Sequence, residues 1–256
     1  MSKLEIHQIP VLSDNYLYLF KEPDSGYVGI VDPAVAGPVL DKLDELGWTL
    51  THIINTHHHM DHTGANLELK EKTGCTIVGA KIDAARIPGI DIEVAEGDIY
   101  EFGAEKAQVF EVPGHTSGHI AYWFENSDAL FCGDTLFALG CGRLFEGTPA
   151  QMWNSISKFQ NMPDSTKVYC AHEYTEANAR FAVTVDPKNT ALQSRFEDIL
   201  KLRANLIPTV PSTLGEEKAT NPFMRADDPG LAAALNLTGA DPVEVFAETR
   251  SRKDNF

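Results

Sequence analysis

The chain is poor in cysteine, in positive charge and in long apolar runs, and each shortage removes a class of protein. Four cysteines occur in 256 residues, Cys75, Cys132, Cys141 and Cys170, with no C-x-x-C pair. That argues against a disulfide framework or a zinc knuckle and makes reduced thiols the expected state. Lys and Arg number 21 against 37 Asp and Glu, a formal charge of -16, so the long-range field repels nucleic acid and anionic membranes. No segment approaches the roughly 18 consecutive apolar residues that span a bilayer. The N-terminal MSKLEIHQIP has no apolar stretch of the kind found in secretory signals. The expected location is the cytoplasm, with neither nucleic acid nor membrane as a partner. No G-x-S-x-G elbow is present, so serine nucleophile chemistry has no obvious carrier. With 43% hydrophobic and 23% charged residues, the composition is that of an ordinary globular protein.

Along the first two thirds, short β-rich runs alternate with helices. LEIHQI, NYLYLF and YVGIVD are separated by turn residues, and THIINT (51–56), CTIVGA, QVFEVP, HIAYWF, DALFCGD and KVYCAH read as further strands. KVYCAH is the last strand expected, and the acidic stretch 83–105 is left without one. Pro38 and Gly47 bracket a helix, and Gly74 ends another. Thr148 and Gln151 make a capping box, with Pro149 first in a helix that carries Met152, Trp153, Ile156 and Phe159 on one face. From Glu173 the hydrophobic period lengthens, which predicts a helical second unit. Asp186-Pro187 is expected to open a helix bearing Leu192, Phe196, Ile199, Leu200 and Leu206, and Asp241-Pro242 another bearing Val243, Phe246 and Arg250. The expected domains are therefore 1–172 and 173–256. The first carries a net charge of -13 and the second -3, which makes the second the better source of cations for an anionic ligand.

Directly after THIINT comes His57-His58-His59-Met60-Asp61-His62, an H-x-H-x-D-H pattern. In extended backbone alternate side chains share a face, so His57 and His59 converge while His58 turns away. Asp61 and His62 begin the next helix and can face a second point nearby. By chance the pattern arises on the order of 10⁻³ times in a sequence of this composition. His115, Asp134 and His172 each follow a strand, and strand ends are where sheet folds assemble rigid sites. The count gives His57, His59 and His115 to one metal, Asp61, His62 and His172 to another, and Asp134 to both. His119 is the rival to His115. His7, His52 and His58 are read as packed or supporting imidazoles, and Cys132 and Cys170 as small core residues.

Imidazole and carboxylate without thiolate suit Zn²⁺, Fe or Mn²⁺. Two dications opposed by Asp61, Asp134 and a hydroxide keep one positive charge. A bridging water would ionise near pH 7 while an ion polarises a carbonyl, which predicts hydrolysis of an acyl or phosphoryl bond.

These residues resemble the metal ligands of the metallo-β-lactamase superfamily, in order. SDNYLYL, THHHMDHTGAN, PGHTSGHIAY, FCGDTLFALGCGRLFEGT, AHEYTEANARFA, TVPSTLGEEKATNPFMR and RSRKDNF resemble, more narrowly, the glyoxalase II or hydroxyacylglutathione hydrolase family over essentially the whole chain. The resemblance implies an α+β fold, a four-layer αββα sandwich followed by a C-terminal α-helical domain. It also implies two divalent ions, zinc first with iron or manganese as alternatives, and hydrolysis of S-D-lactoylglutathione in methylglyoxal detoxification. Catalytic roles fall on Asp61 and Asp134. Arg143, Tyr174, Arg250 and Lys253 are implied to contact glutathione; Phe145 lacks the hydroxyl that some relatives carry there. A thioester suits the site because its thiolate leaves with little protonation. The partner expected is a small glutathione thioester, and the chain is expected to be a monomer. The rivals are a β-lactamase, a tRNA-processing nuclease, a single-iron persulfide dioxygenase and a non-enzymatic metal-binding protein.

Overall fold

The computed structural model describes residues 2–256. They form two compact units, one running through Glu111 and resuming over Gly118–Gly133, the other made of Val112–Ser117 and Asp134–Phe256.

The first unit contains β1 (Glu5–Val11), β2 (Asn15–Lys21), β3 (Val28–Val31), α1 (Gly37–Leu46), β4 (His52–Ile54), α2 (Met60–Thr63), α3 (Asn66–Thr73), β5 (Thr76–Ala80), β6 (Ile92–Val94), β7 (Ile99–Phe102), β8 (Glu105–Glu111), β9 (Ile120–Phe124) and β10 (Ala129–Gly133). One sheet has the order β1-β2-β3-β4-β5-β6, antiparallel through β3 and parallel beyond it. The switch follows from the connections, since parallel neighbours need a crossover and α1 and α3 supply it. Both helices stop where foreseen, at Gly47 (φ 64) and Gly74 (φ 71), left-handed positions that glycine adopts without a β-carbon clash. Strands β7 to β10 form an antiparallel meander in a second sheet.

Alternation along β2 builds the core on both sides of the first sheet. Leu17 and Leu19 join Val39, Leu43 and Leu69 of the helices. Phe20 points the other way, with ring centroids 4.8 Å from Phe102 and 5.4 Å from Phe131 of the second sheet. The acidic stretch 83–105 does contain strands: β6 is short, and β7 alternates exposed Ile99 and Glu101 with buried Tyr100 and Phe102.

The second unit contains β11 (Leu136–Phe137), β12 (Gly140–Cys141), α4 (Pro149–Ser157), β13 (Lys167–Cys170), α5 (Thr175–Val185), α6 (Thr190–Ala204), β14 (Ser212–Thr213), α7 (Leu214–Thr220), α8 (Pro229–Ala234) and α9 (Pro242–Asp254). The Thr148–Gln151 capping box forms in both directions and buries Met152 and Ile156. Helix α6 starts later than foreseen, because Asn189 caps it through Leu192 N–H while Asp186 is taken up by Asn189 Nδ2 and Arg225. Leu206 lies beyond that helix at φ 57, 82% exposed. The strand at 167–170 is not the last, since β14 pairs with it.

The hairpin β11–β12 is held from the helical region. Asn221 Nδ2 donates to the carbonyls of Phe137 and Gly140, Asn178 Nδ2 to that of Ala138, and Glu217 accepts from Leu139 N–H. Among the described residues no helix is long and apolar enough to cross a membrane.

Candidate metal centre

In the first unit, β4 ends at Ile54 and the chain passes through buried Asn55 and Thr56 into the histidine run. Asp32, 2% exposed and at the end of β3, governs this turn. Its carboxylate accepts Thr56 N–H at 2.7 Å, Thr56 Oγ1 at 2.6 Å and His62 Nδ1 at 3.0 Å. Past a bend at Thr56 and His57 the side chains of His57 and His59 come together, with Nε2 and Nδ1 3.1 Å apart. His58 turns away and meets Asp83. In the first turn of α2, His62 Nε2 lies 3.5 Å from Asp61 Oδ2, which also accepts Asn15 Nδ2 at 3.1 Å. The His57 and His62 rings are 4.0 Å apart, so the four donors of this run gather at one place. Asp32, His57 and His62 also cluster closely enough to hold an ion. A carboxylate already accepting three hydrogen bonds has little left for a cation, so Asp32 acts by fixing the imidazole of His62 with Nε2 toward Asp61. His119 is fully buried, stacked on His57 at 4.5 Å, its Nδ1 3.1 Å from the Ile120 carbonyl.

In the second unit, Asp134 sits where His115 and His172 meet. Its Oδ2 lies 3.4 Å from His115 Nε2 and its Oδ1 3.4 Å from His172 Nε2, one oxygen toward each ring, and all three residues are buried. His115 Nδ1 donates to the Arg143 carbonyl at 2.9 Å, which leaves Nε2 as the lone-pair nitrogen. The backbone approaches closely here: a β-carbon on Gly142 would lie 2.1 Å from the Asp134 carbonyl oxygen. Tyr174 stacks on His172 at 4.7 Å and Phe145 stands edge-on to His115 at 5.1 Å.

The cysteines stay outside this chemistry. All four are buried, and burial pushes the Cys170 thiol up to about 12 and the Cys141 thiol up to about 11. Protonated thiols leave the imidazoles and carboxylates as the donor set, one that fits borderline or hard divalent ions. An aromatic disulfide reagent is expected to label none of the four thiols in the native chain and all four in denaturant; rapid native labelling of Cys170 would contradict its assignment to the core.

Three cations gather in the same unit. Arg143 is exposed; Arg250 is 5% exposed, with Nη1 donating to the Cys141 carbonyl at 3.1 Å, Nη2 paired to Asp254 at 2.7 Å, and the guanidinium 5.2 Å from the Phe223 ring. Lys253 lies over Phe181 and Phe256 and donates to the Ala177 carbonyl. Burial, and then the charges of Arg250 and Arg143, lower its pKa below the ordinary 10.5. A cluster whose members repel one another favours an anionic ligand.

Asp32, Asn15 and Asp83 support these side chains without belonging to the expected set. Asp32 had a usable signal, since it ends a strand as Asp134 and His172 do; Asp83 had none, being 25 residues from the histidine that it binds.

Comparison with known proteins agrees with this architecture. Residues 13–172 match the family model described as metallo-beta-lactamase superfamily, and residues 173–256 the one described as hydroxyacylglutathione hydrolase C-terminus. The hydroxyacylglutathione hydrolase of Methylococcus capsulatus is 60% identical over 253 residues, covering 99% of each chain. That of Rhodospirillum rubrum is 57% identical over 256 residues, covering 100% of each. Among solved structures, ETHE1 from Myxococcus xanthus superposes with a TM-score of 0.67 at 26% identity, over 97% of this chain and 98% of that one. The chain belongs to the metallo-beta-lactamase superfamily and, within it, to the hydroxyacylglutathione hydrolase family.

Proposed function

We propose that the chain hydrolyses S-D-lactoylglutathione and related 2-hydroxyacylglutathione thioesters to glutathione and the free hydroxy acid, the second step of methylglyoxal detoxification. The observation that carries this reading is the pairing, within the second unit, of a carboxylate facing two imidazoles with a cluster of three cations. The full-length relatives support a thioester hydrolase over a persulfide dioxygenase.

In this reading His57, His59 and His115 would hold one divalent ion and Asp61, His62 and His172 a second, with Asp134 available to both. Zinc is the first choice, with iron or manganese as alternatives. Such a pair supplies a water ionised near neutral pH and polarisation of the thioester carbonyl. The remaining work falls to side chains. Asp61, whose Oδ2 accepts a hydrogen bond from Asn15 Nδ2, would serve as the proton acceptor. Asp32 and the Arg143 carbonyl keep the Nδ1 atoms of His62 and His115 occupied and their Nε2 atoms directed inward. Arg143, Arg250 and Lys253 meet the carboxylates of glutathione, and Tyr174 adds a hydroxyl beside them. Residues 1–172 are the catalytic domain in this scheme and 173–256 the glutathione-binding one, in a monomeric cytoplasmic enzyme.

The test is loss of thioester absorbance with S-D-lactoylglutathione alongside elemental analysis of the same preparation. Fast turnover with two metal equivalents is expected; a fully loaded protein that leaves this thioester untouched would refute the substrate assignment.

A further inference from the structure

His58, the middle histidine of the run, is engaged at both ring nitrogens. Nδ1 lies 3.0 Å from Asp83 Oδ2, and Nε2 lies 3.3 Å from Arg86 Nη1. A guanidinium can only donate, so Nε2 accepts and the proton of a neutral imidazole sits on Nδ1, donated to Asp83. The carboxylate is itself fixed. Asp83 is 2% exposed, and its Oδ1 accepts Arg86 Nε at 3.0 Å and Nη2 at 2.5 Å. It also packs on the backbone before His119, where a β-carbon on Gly118 would lie 2.1 Å from the Asp83 carboxyl carbon. Three residues from two segments thus close a ring of hydrogen bonds around the side chain between His57 and His59.

We infer that Asp83 and Arg86 are positioning residues, which act through His58 to hold the backbone so that His57 and His59 face one point. Along so short a run, fixing one side chain fixes the backbone that carries it and so limits the directions open to its neighbours. A clamp on His58 therefore restrains the flanking imidazoles through the shared backbone and, for His59, through an edge contact of the two rings, whose centroids are 4.9 Å apart, and spares the ion the entropy of ordering the run. The inference rests on the metal-centre reading above.

Zinc affinity of the metal-free full chain, measured by competition with a chromophoric chelator, tests it with no recourse to activity. His58→Ala and Asp83→Ala are each expected to weaken binding about tenfold, the scale on which outer-shell partners act. The double variant should be no weaker than either single one, because both break the same clamp. His58→Asn, whose amide can occupy the place of Nδ1–H, should bind within about twofold of the wild type, and nitrogen NMR of the wild type should find the His58 proton on Nδ1. If His58→Ala binds zinc like the wild type, or His58→Asn is as weak as His58→Ala, the clamp is refuted; the two His58 variants decide this even if Asp83→Ala does not fold. His59→Ala separates the two readings. Its failure to weaken zinc binding would overturn the metal centre, whereas weakening there with none in His58→Ala would overturn the clamp alone.

Discussion

His59→Ala is expected to lose one of two metal equivalents and to lower kcat/KM for the thioester by more than about a hundredfold. That figure is the upper end for removing a partner behind a ligand, and His59 is proposed as a ligand itself. The position suits the experiment because His59 is only partly buried, so truncation should leave folding of the metal-free chain nearly unchanged. His57 is fully buried between His62 and His119, and truncation there would mix packing with chemistry. Elemental analysis, metal-free melting temperature and steady-state rates should be measured on one preparation. Full metal content with full activity would remove His59 from the centre; lost activity with full metal content would move it from ligation to some other role.

The gathering of His57, His59, Asp61 and His62 was legible because its signal is local. Two histidines at a spacing of two, and an acid and a histidine at the start of a helix, report a shared direction through backbone geometry alone. Helix ends were legible for the same reason where one residue decides them, as Gly47, Gly74 and the Thr148–Gln151 box do. The supporting partners were not legible. Asp32 reaches His62 across 30 positions and Asp83 reaches His58 across 25, and no periodicity encodes a contact that only the folded sheet creates. The misplaced start of α6 has a similar cause: Asp186 is a good capping residue, but Arg225, 39 positions away, takes its carboxylate and leaves the cap to Asn189. Strands β6 and β7 were missed because their exposed faces carry Glu93 and Glu101, and that acidic alternation hid a pattern with one buried side.

Lys253→Ala is expected to raise KM for the glutathione thioester about tenfold or more while kcat and metal content stay close to wild type. A charge-assisted hydrogen bond contributes roughly 1.5–3 kcal/mol, and losing ground-state and transition-state binding alike appears in KM alone. Arg250→Ala should raise KM too, but it also strips the Cys141 carbonyl and Asp254 of a buried partner, so about 2 kcal/mol of stability should go with it. On the proposed reading Lys253→Ala would isolate recognition, whereas Arg250→Ala would mix it with the support of the hairpin β11–β12. The lysine also predicts a pH dependence. Burial and the neighbouring arginines hold its pKa below 10.5, so the free enzyme loses this charge earlier in an alkaline titration than an ordinary lysine would. KM should climb with pH before 10.5 is reached, because the neutral amine no longer attracts a carboxylate. Lys253→Arg, which stays charged throughout, should flatten that limb. A KM in Lys253→Ala equal to that of the wild type, with an unchanged alkaline limb, would return the end of α9 to a purely structural role.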